Sequence, residues 1–131
     1  MKKSYSIREL AAEFDITTRT IRFYEEKNLL KPSREGQVRI FSAADRTRLR
    51  LILRGKRLGL TLDESSGIIA MYEPGTNNKK QIRTLIEKIR EKRTQLLRQQ
   101  EDLELMLLDL RDAEERCVQS LAEQDDEQVS G

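Results

Sequence analysis

Arg19 and Arg22 stand three residues apart in TTRTIRFYEEKN, residues 17–28. On a helix that spacing puts both on one face. A guanidinium matches the O6 and N7 edge of guanine and equally the oxygens of a phosphate. Tyr24, two residues on, can hold a phosphate through its hydroxyl. Other chemistry is largely excluded by composition. The 131 residues contain no His and a single Cys, Cys117. Without His, most hydrolase triads and most zinc sites are gone. One Cys allows neither an intrachain disulfide nor a CxxC metal knuckle. No nucleophile, base and orienting group fall into a recognisable constellation. The expectation is a binding protein rather than an enzyme, with no metal and no cofactor.

The charge is unevenly placed. Residues 1–60 carry 15 Lys/Arg and 7 Asp/Glu, whereas residues 61–131 carry 10 and 16. A basic half of net +8 suits a polyanionic partner, although a solvated basic surface would look the same. Charged residues are 37% of the chain, against about 25% in an ordinary domain. One small core is affordable at this length. No apolar run is long enough to span a membrane, and MKKSYSIREL lacks the apolar stretch of a secretory signal. A cytoplasmic protein is expected.

The elements that would position the arginines are legible. Ile7, Leu10, Ala11 and Phe14 form one apolar helix face, and Ser6 with Glu9 makes a capping box ahead of it. Asp15-Ile16-Thr17 breaks the period, and Thr17 can cap the next helix, which Asn28 would end in a left-handed conformation. Two short helices so joined make a helix-turn-helix, with Arg19 and Arg22 near the start of the second. A helical pair with surface arginines is the alternative. Residues 29–41 read as a hairpin carrying Lys31, Arg34 and Arg39, suited to lie along a phosphate backbone. Ser42 caps a third helix ending in Arg54-Gly55-Lys56-Arg57, a second candidate phosphate contact, and Thr61 with Glu64 opens a fourth.

Pro74-Gly75-Thr76-Asn77 is the expected domain boundary. Residues 78–121 then contain neither Pro nor Gly. A helix of that span is about 66 Å long. Ile82, Ile89, Leu96, Leu103, Leu110 and Cys117 recur every seven residues, with a weaker second set in Leu85, Met106 and Ala113. One apolar stripe on so long a helix needs a partner. Residues 79–98 have net charge +6 and residues 99–131 net −9. Like charges would face each other in a parallel pair, so an antiparallel homodimer is expected, with Leu96 facing Met106 of the second copy and the axis near Glu101. The expected fold is mainly α: a winged helix-turn-helix domain over residues 4–73, a linker at 74–78, a long antiparallel coiled-coil dimerisation helix over 79–122, and a flexible acidic tail at 123–131.

Three motifs narrow this further: Thr20-Ile21-Arg22-Phe23-Tyr24-Glu25, Leu29-Leu30-Lys31-Pro32-Ser33-Arg34 with Arg39 in the wing, and Gly59-Leu60-Thr61-Leu62-Asp63-Glu64. Over residues 4–73 they resemble the mercury-resistance (MerR) family of bacterial transcription regulators. The resemblance implies a dimer on palindromic double-stranded promoter DNA, acting on RNA polymerase indirectly by bending and untwisting the spacer between promoter elements. It implies that Arg19 and Arg22 read bases or phosphates, that Thr17, Thr18, Tyr24 and Arg39 contact the backbone, and that Lys56 and Arg57 belong to a second wing. The dimer seam would use Ile82, Leu85, Ile89, Leu96, Leu103, Met106 and Leu110. The pattern is most similar to the subgroup controlling branched-chain amino-acid and fatty-acid breakdown.

The chain departs from the family pattern. Its wing reads Gln37-Val38-Arg39-Ile40-Phe41 where the family has Gly-Tyr-Arg-x-Tyr, Phe23 replaces a tyrosine and Asn28 a glycine. Metal-sensing members carry a cysteine at the start of the long helix, where this chain has Asn77-Asn78-Lys79. Cys117 is expected to pack rather than sense, with a thiol- or metal-responsive regulator, or a coiled-coil protein that reads no DNA, as alternatives. A small-molecule effector would fit near Ile69, Met71 and Tyr72.

Overall fold

A computed structural model describes residues 3–130, with side chains through Glu127. The elements are β1 (Ser4–Tyr5), α1 (Ile7–Phe14), α2 (Thr18–Glu26), β2 (Ser33–Glu35), β3 (Val38–Ser42), α3 (Ala43–Arg57), α4 (Leu62–Ala70) and α5 (Lys79–Ser130). The backbone divides into two compact units, one reaching Ile89 and the other beginning at Arg90.

The first unit is built by local signals in the sequence. Ser6 accepts from the N–H of Glu9 while the Glu9 carboxylate accepts from the N–H of Ser6, so the capping box at α1 is complete. Asp15 ends that helix in the left-handed region at φ 53 and donates its N–H to the carbonyls of Ala11 and Ala12. Two residues later the Thr17 hydroxyl accepts from the N–H of Thr20 and starts α2. That reversal makes the helix-turn-helix. Asn28, at φ 62, turns the chain out of α2. Asn tolerates this conformation because its short polar side chain relieves the usual penalty.

The wing is an antiparallel pair, with Ser33 opposite Ile40, Arg34 opposite Arg39 and Glu35 opposite Val38. Gly36 at φ 63 occupies the first of two tip positions, where glycine is favoured. β1 adds to the other edge of β3, pairing Ser4 with Ser42 and Tyr5 with Phe41. Nothing in the residue pattern pointed to β1. Periodicity spoke only for the helix that follows, and strand pairing here is with residues far along the chain.

Leu10, Ile21, Leu30, Phe41, Leu49 and Ile52 are buried to 2% exposure or less and join α1, α2, β3 and α3 around one core. Each such side chain contributes about 1.5–3 kcal/mol by leaving water. Asp45 is buried among them and fully used. It completes the Ser42 capping box and accepts from the N–H of Lys31 at 3.2 Å and from Arg48 at 3.2 Å. That carboxylate fixes where the chain leaves α2 relative to α3, and so where the wing begins.

From Arg90 the second unit is the remainder of α5. Leu96, Leu103, Leu107, Leu110 and Leu121 are each more than half exposed in the single chain. The helix does not stop at residue 122 as the sequence suggested, but continues through Ser130. No Gly or Pro intervenes before Gly131, and Glu, Gln and Ala propagate a helix readily. The expected tail is thus helical as far as Ser130, and Gly131 lies outside the described residues.

Candidate nucleic-acid interface

The exposed side of α2 is Arg19, Arg22, Phe23 and Glu26, because Ile21 and Tyr24 take the core side one turn apart. A cleft of about 570 Å³ runs between α2 and the wing, lined by Arg19, Arg22, Arg34, Arg39 and the acids Glu25 and Glu26. Four guanidiniums converge there from three elements, α2, β2 and β3. Such a concave cationic surface attracts a polyanion and concentrates the field.

Arg19 and Arg22 have no ion pair among the described residues, so both are available to a ligand. Arg34 and Arg39 are differently placed. Arg34 Nη2 lies 3.0 Å from Glu25 Oε1, and Arg39 Nε lies 2.6 Å from Glu25 Oε2. Thr17 spends its hydroxyl on the helix cap and on a 2.9 Å hydrogen bond with the Thr20 hydroxyl. Thr18 is half-buried at the first turn of α2.

Tyr24 was expected at a phosphate. It is 5% exposed and belongs to the core cluster, and burial pushes its hydroxyl's pKa up. Its ring packs in the core at the i, i+3 spacing from Ile21, which accounts for its burial. Tyr24 borders a second, smaller hollow of about 250 Å³, shared with Phe23, Ile52, Lys56 and Leu60. Lys56 therefore stands on the α2 side of the domain, with Phe23 between it and the four arginines. Arg57 is exposed at the last residue of α3. Lys27 lies over the Phe23 ring at 5.6 Å, a cation–π contact.

Two of the seam residues are only half-buried within the first unit. Leu85 lines a narrow cavity with Leu51, Gly55, Ser65 and Ile68, so part of its surface is already covered by its own chain. Ile89 is also half-buried, whereas Ile82, Leu96, Leu103, Met106 and Leu110 are exposed. Cys117 is an exposed free thiol.

A family model described as "MerR HTH family regulatory protein" matches residues 5–72, more than half of the chain. The chain belongs to the MerR family. A second model, "MerR, DNA binding", matches residues 46–113 and carries the likeness into α5. MerR-family proteins are DNA-binding transcription regulators. Among curated relatives, HTH-type transcriptional regulator HmrR of Rhizobium leguminosarum bv. viciae is 33% identical over 69 residues, covering 52% of this chain and 54% of that protein. The chain spans about half the length of the curated relatives it matches. Among solved structures, a MerR family transcriptional regulator from Bacillus cereus is 31% identical with a TM-score of 0.60, covering 79% of this chain and 75% of that one. The regulator PbrR691 from Ralstonia metallidurans CH34, solved with lead(II), is 31% identical with a TM-score of 0.62, covering 82% and 85%.

Two of the wing's departures from the family pattern differ in exposure, one buried and one at the surface. Phe41 is fully buried, so a hydroxyl lost there is lost from the core side. Val38 is 62% exposed and is the wing position where a hydroxyl is missing from the surface. No helix among the described residues is long and apolar enough to cross a membrane. Glu25 is the cleft residue that sequence reasoning passed over. Its partners are nine and fourteen residues away, across a turn, and no spacing rule points to them.

Proposed function

We propose that this MerR-family chain is a promoter-binding transcription regulator that works in the cytoplasm as an antiparallel homodimer. The observation that carries the reading is the cleft between α2 and the wing, where four arginines converge. Arg22 and Arg19 present unpaired guanidiniums at the exposed face of a helix of nine residues, the arrangement that reads base edges in a major groove. Lys56 and Arg57 add backbone contacts from the far end of α3. Two such domains on one dimer would read a palindrome. The dimer would influence polymerase indirectly, by distorting the promoter spacer rather than by touching the enzyme.

Dimerisation is supported by α5. Its leucines are too exposed for a lone chain in water, and its basic and acidic halves complement each other only head-to-tail. Control of catabolic genes and a small-molecule effector belong to the same proposal. Lys31, Arg48, Ser66 and Tyr72 line a hollow of about 230 Å³ beside Ile69, a place for a small polar effector.

A gel shift tests the reading. The duplex that the wild-type chain enriches from a random library should be bound in preference to an unrelated duplex. Arg22→Ala should weaken that binding by at least about fivefold, since one bidentate base contact carries about 1–3 kcal/mol. Equal binding of both duplexes, or no loss with Arg22→Ala, overturns it.

A further inference from the structure

Arg34 and Arg39 are directly opposite each other on β2 and β3. Residues so paired point to the same face, and like charges there repel. Left alone, this pair would push the wing's strands and tips apart. One carboxylate answers both. Glu25 Oε1 accepts from Arg34 Nη2 at 3.0 Å, and Glu25 Oε2 accepts from Arg39 Nε at 2.6 Å. The Glu25 and Arg39 side chains are only 20% and 25% exposed, so water screens the contact less than at an open surface. Glu25 sits on α2, the helix that also carries Arg19 and Arg22. The ion pairs therefore join wing and recognition helix at the cleft both of them line.

We propose that Glu25 is a positioning residue for DNA binding, which holds Arg39 and Arg34 against α2 in the orientation that a phosphate needs. The inference rests on the DNA-binding reading above. Arg39 offers Glu25 its Nε and keeps both terminal nitrogens for a further acceptor. Arg34 offers one terminal nitrogen and keeps the rest. The acid thus aims the two guanidiniums without using them up. It also sets a sign that simple electrostatics gets wrong. Glu25 is a negative charge at a surface meant for a polyanion, so by charge alone its removal should tighten every DNA complex. As a positioning residue its removal should loosen the specific complex while leaving, or raising, affinity for unrelated DNA.

Three measurements test this on the full chain. In the free protein, the Arg39 Nε–H proton should exchange slowly with water by NMR, and quickly in Glu25→Ala. On DNA, the cognate duplex enriched by the wild type and an unrelated duplex of equal length are compared. Glu25→Ala should cut the cognate-to-unrelated ratio about tenfold, which is about 1.4 kcal/mol. Glu25→Gln, which keeps an acceptor oxygen but loses the charge, should fall between. In an Arg34→Ala, Arg39→Ala background, Glu25→Ala should cause no further loss. Circular dichroism checks that each variant is folded, and Glu25→Gln stands in should Glu25→Ala unfold. Unchanged or tighter cognate binding by folded Glu25→Ala overturns the inference. So does an equal loss in the background without Arg34 and Arg39, which would mean Glu25 acts through the fold alone. A wild-type chain that selects no duplex overturns the DNA reading itself, and this inference with it, a result distinct from the other two.

Discussion

The side-chain amide of Gln81 donates to the carbonyl oxygen of Ile68 at 3.0 Å, joining the first turn of α5 to the last turns of α4. Gln81 is 6% exposed, one of few buried polar side chains. The same carbonyl also accepts from the N–H of Met71 at 3.2 Å, so it keeps a partner when Gln81 is changed. Gln81→Leu should therefore cost only about 1 kcal/mol in urea unfolding, the net worth of one hydrogen bond. Gln81→Glu should cost more, because an ionised carboxylate has no donor to offer a carbonyl and loses its water. Equal losses would mean the amide is not donating to Ile68.

Gly55 gives a test whose sign changes with its neighbour. A β-carbon there would stand 2.7 Å from the Ser65 hydroxyl oxygen and 3.6 Å from Leu60 Cδ1. Ala is favoured over Gly inside a helix by about 1 kcal/mol, and overpacking costs about 1–3 kcal/mol. Gly55→Ala should lower the thermal midpoint in the wild-type chain and raise it in a Ser65→Ala background. Stabilisation in both backgrounds would show that the hydroxyl simply rotates away.

Glu13 and Arg46 give a pH dependence. Arg46 Nε lies 2.8 and 2.9 Å from the two Glu13 oxygens, tying α1 to α3. The hydrogen bonds to Arg46 hold the Glu13 carboxyl below its ordinary value of 4.5. A carboxyl with a lowered folded pKa binds its proton more readily when unfolded. Its stabilising contribution is complete above the unfolded value and is lost as pH falls through the lower folded one. The melting temperature should drop on acidification below about pH 5, and Glu13→Gln should flatten part of that drop while changing little at pH 3. Both side chains are about a third exposed, so the effect should be small. An identical acid profile for Glu13→Gln would remove the pair as a contributor.

Local chemistry accounts for what the sequence revealed. Ser6 with Glu9, Thr17, Ser42, and Thr61 with Glu64 all cap helices where the sequence placed them, and Asp45 completes the Ser42 capping box without having been read there. Arg19, Arg22 and Arg39 do share one cleft. What escaped was either long-range or double-valued. β1 exists only by pairing with β3, thirty-six or more residues away. Tyr24 carries both an apolar ring and a hydroxyl, and its spacing from Ile21 marked the core face that the ring occupies. Glu25 reads as one more acid on a helix until the wing brings Arg34 and Arg39 to it. Asp45 shows a cap's second use, as an acceptor for Lys31 and Arg48, that a motif alone does not announce.

The direction of pairing along α5 is open to a chemical test. With the axis proposed near Glu101, Leu96 of one copy meets Met106 of the other, and neither residue meets itself. Both are more than half exposed in the single chain. In a Cys117→Ser background, which removes the exposed native thiol, the double variant Leu96→Cys with Met106→Cys should oxidise to a covalent dimer at dilute protein. Either cysteine alone should not. A parallel pair would place each residue beside its own copy, so Leu96→Cys alone would then cross-link. It would also set the +6 of residues 79–98 against itself, so that arrangement should tighten with added salt. The antiparallel pair, held partly by opposite charges, should loosen instead. Cross-linking by the single Leu96→Cys variant, together with a dimer that strengthens in salt, would reverse the direction proposed here.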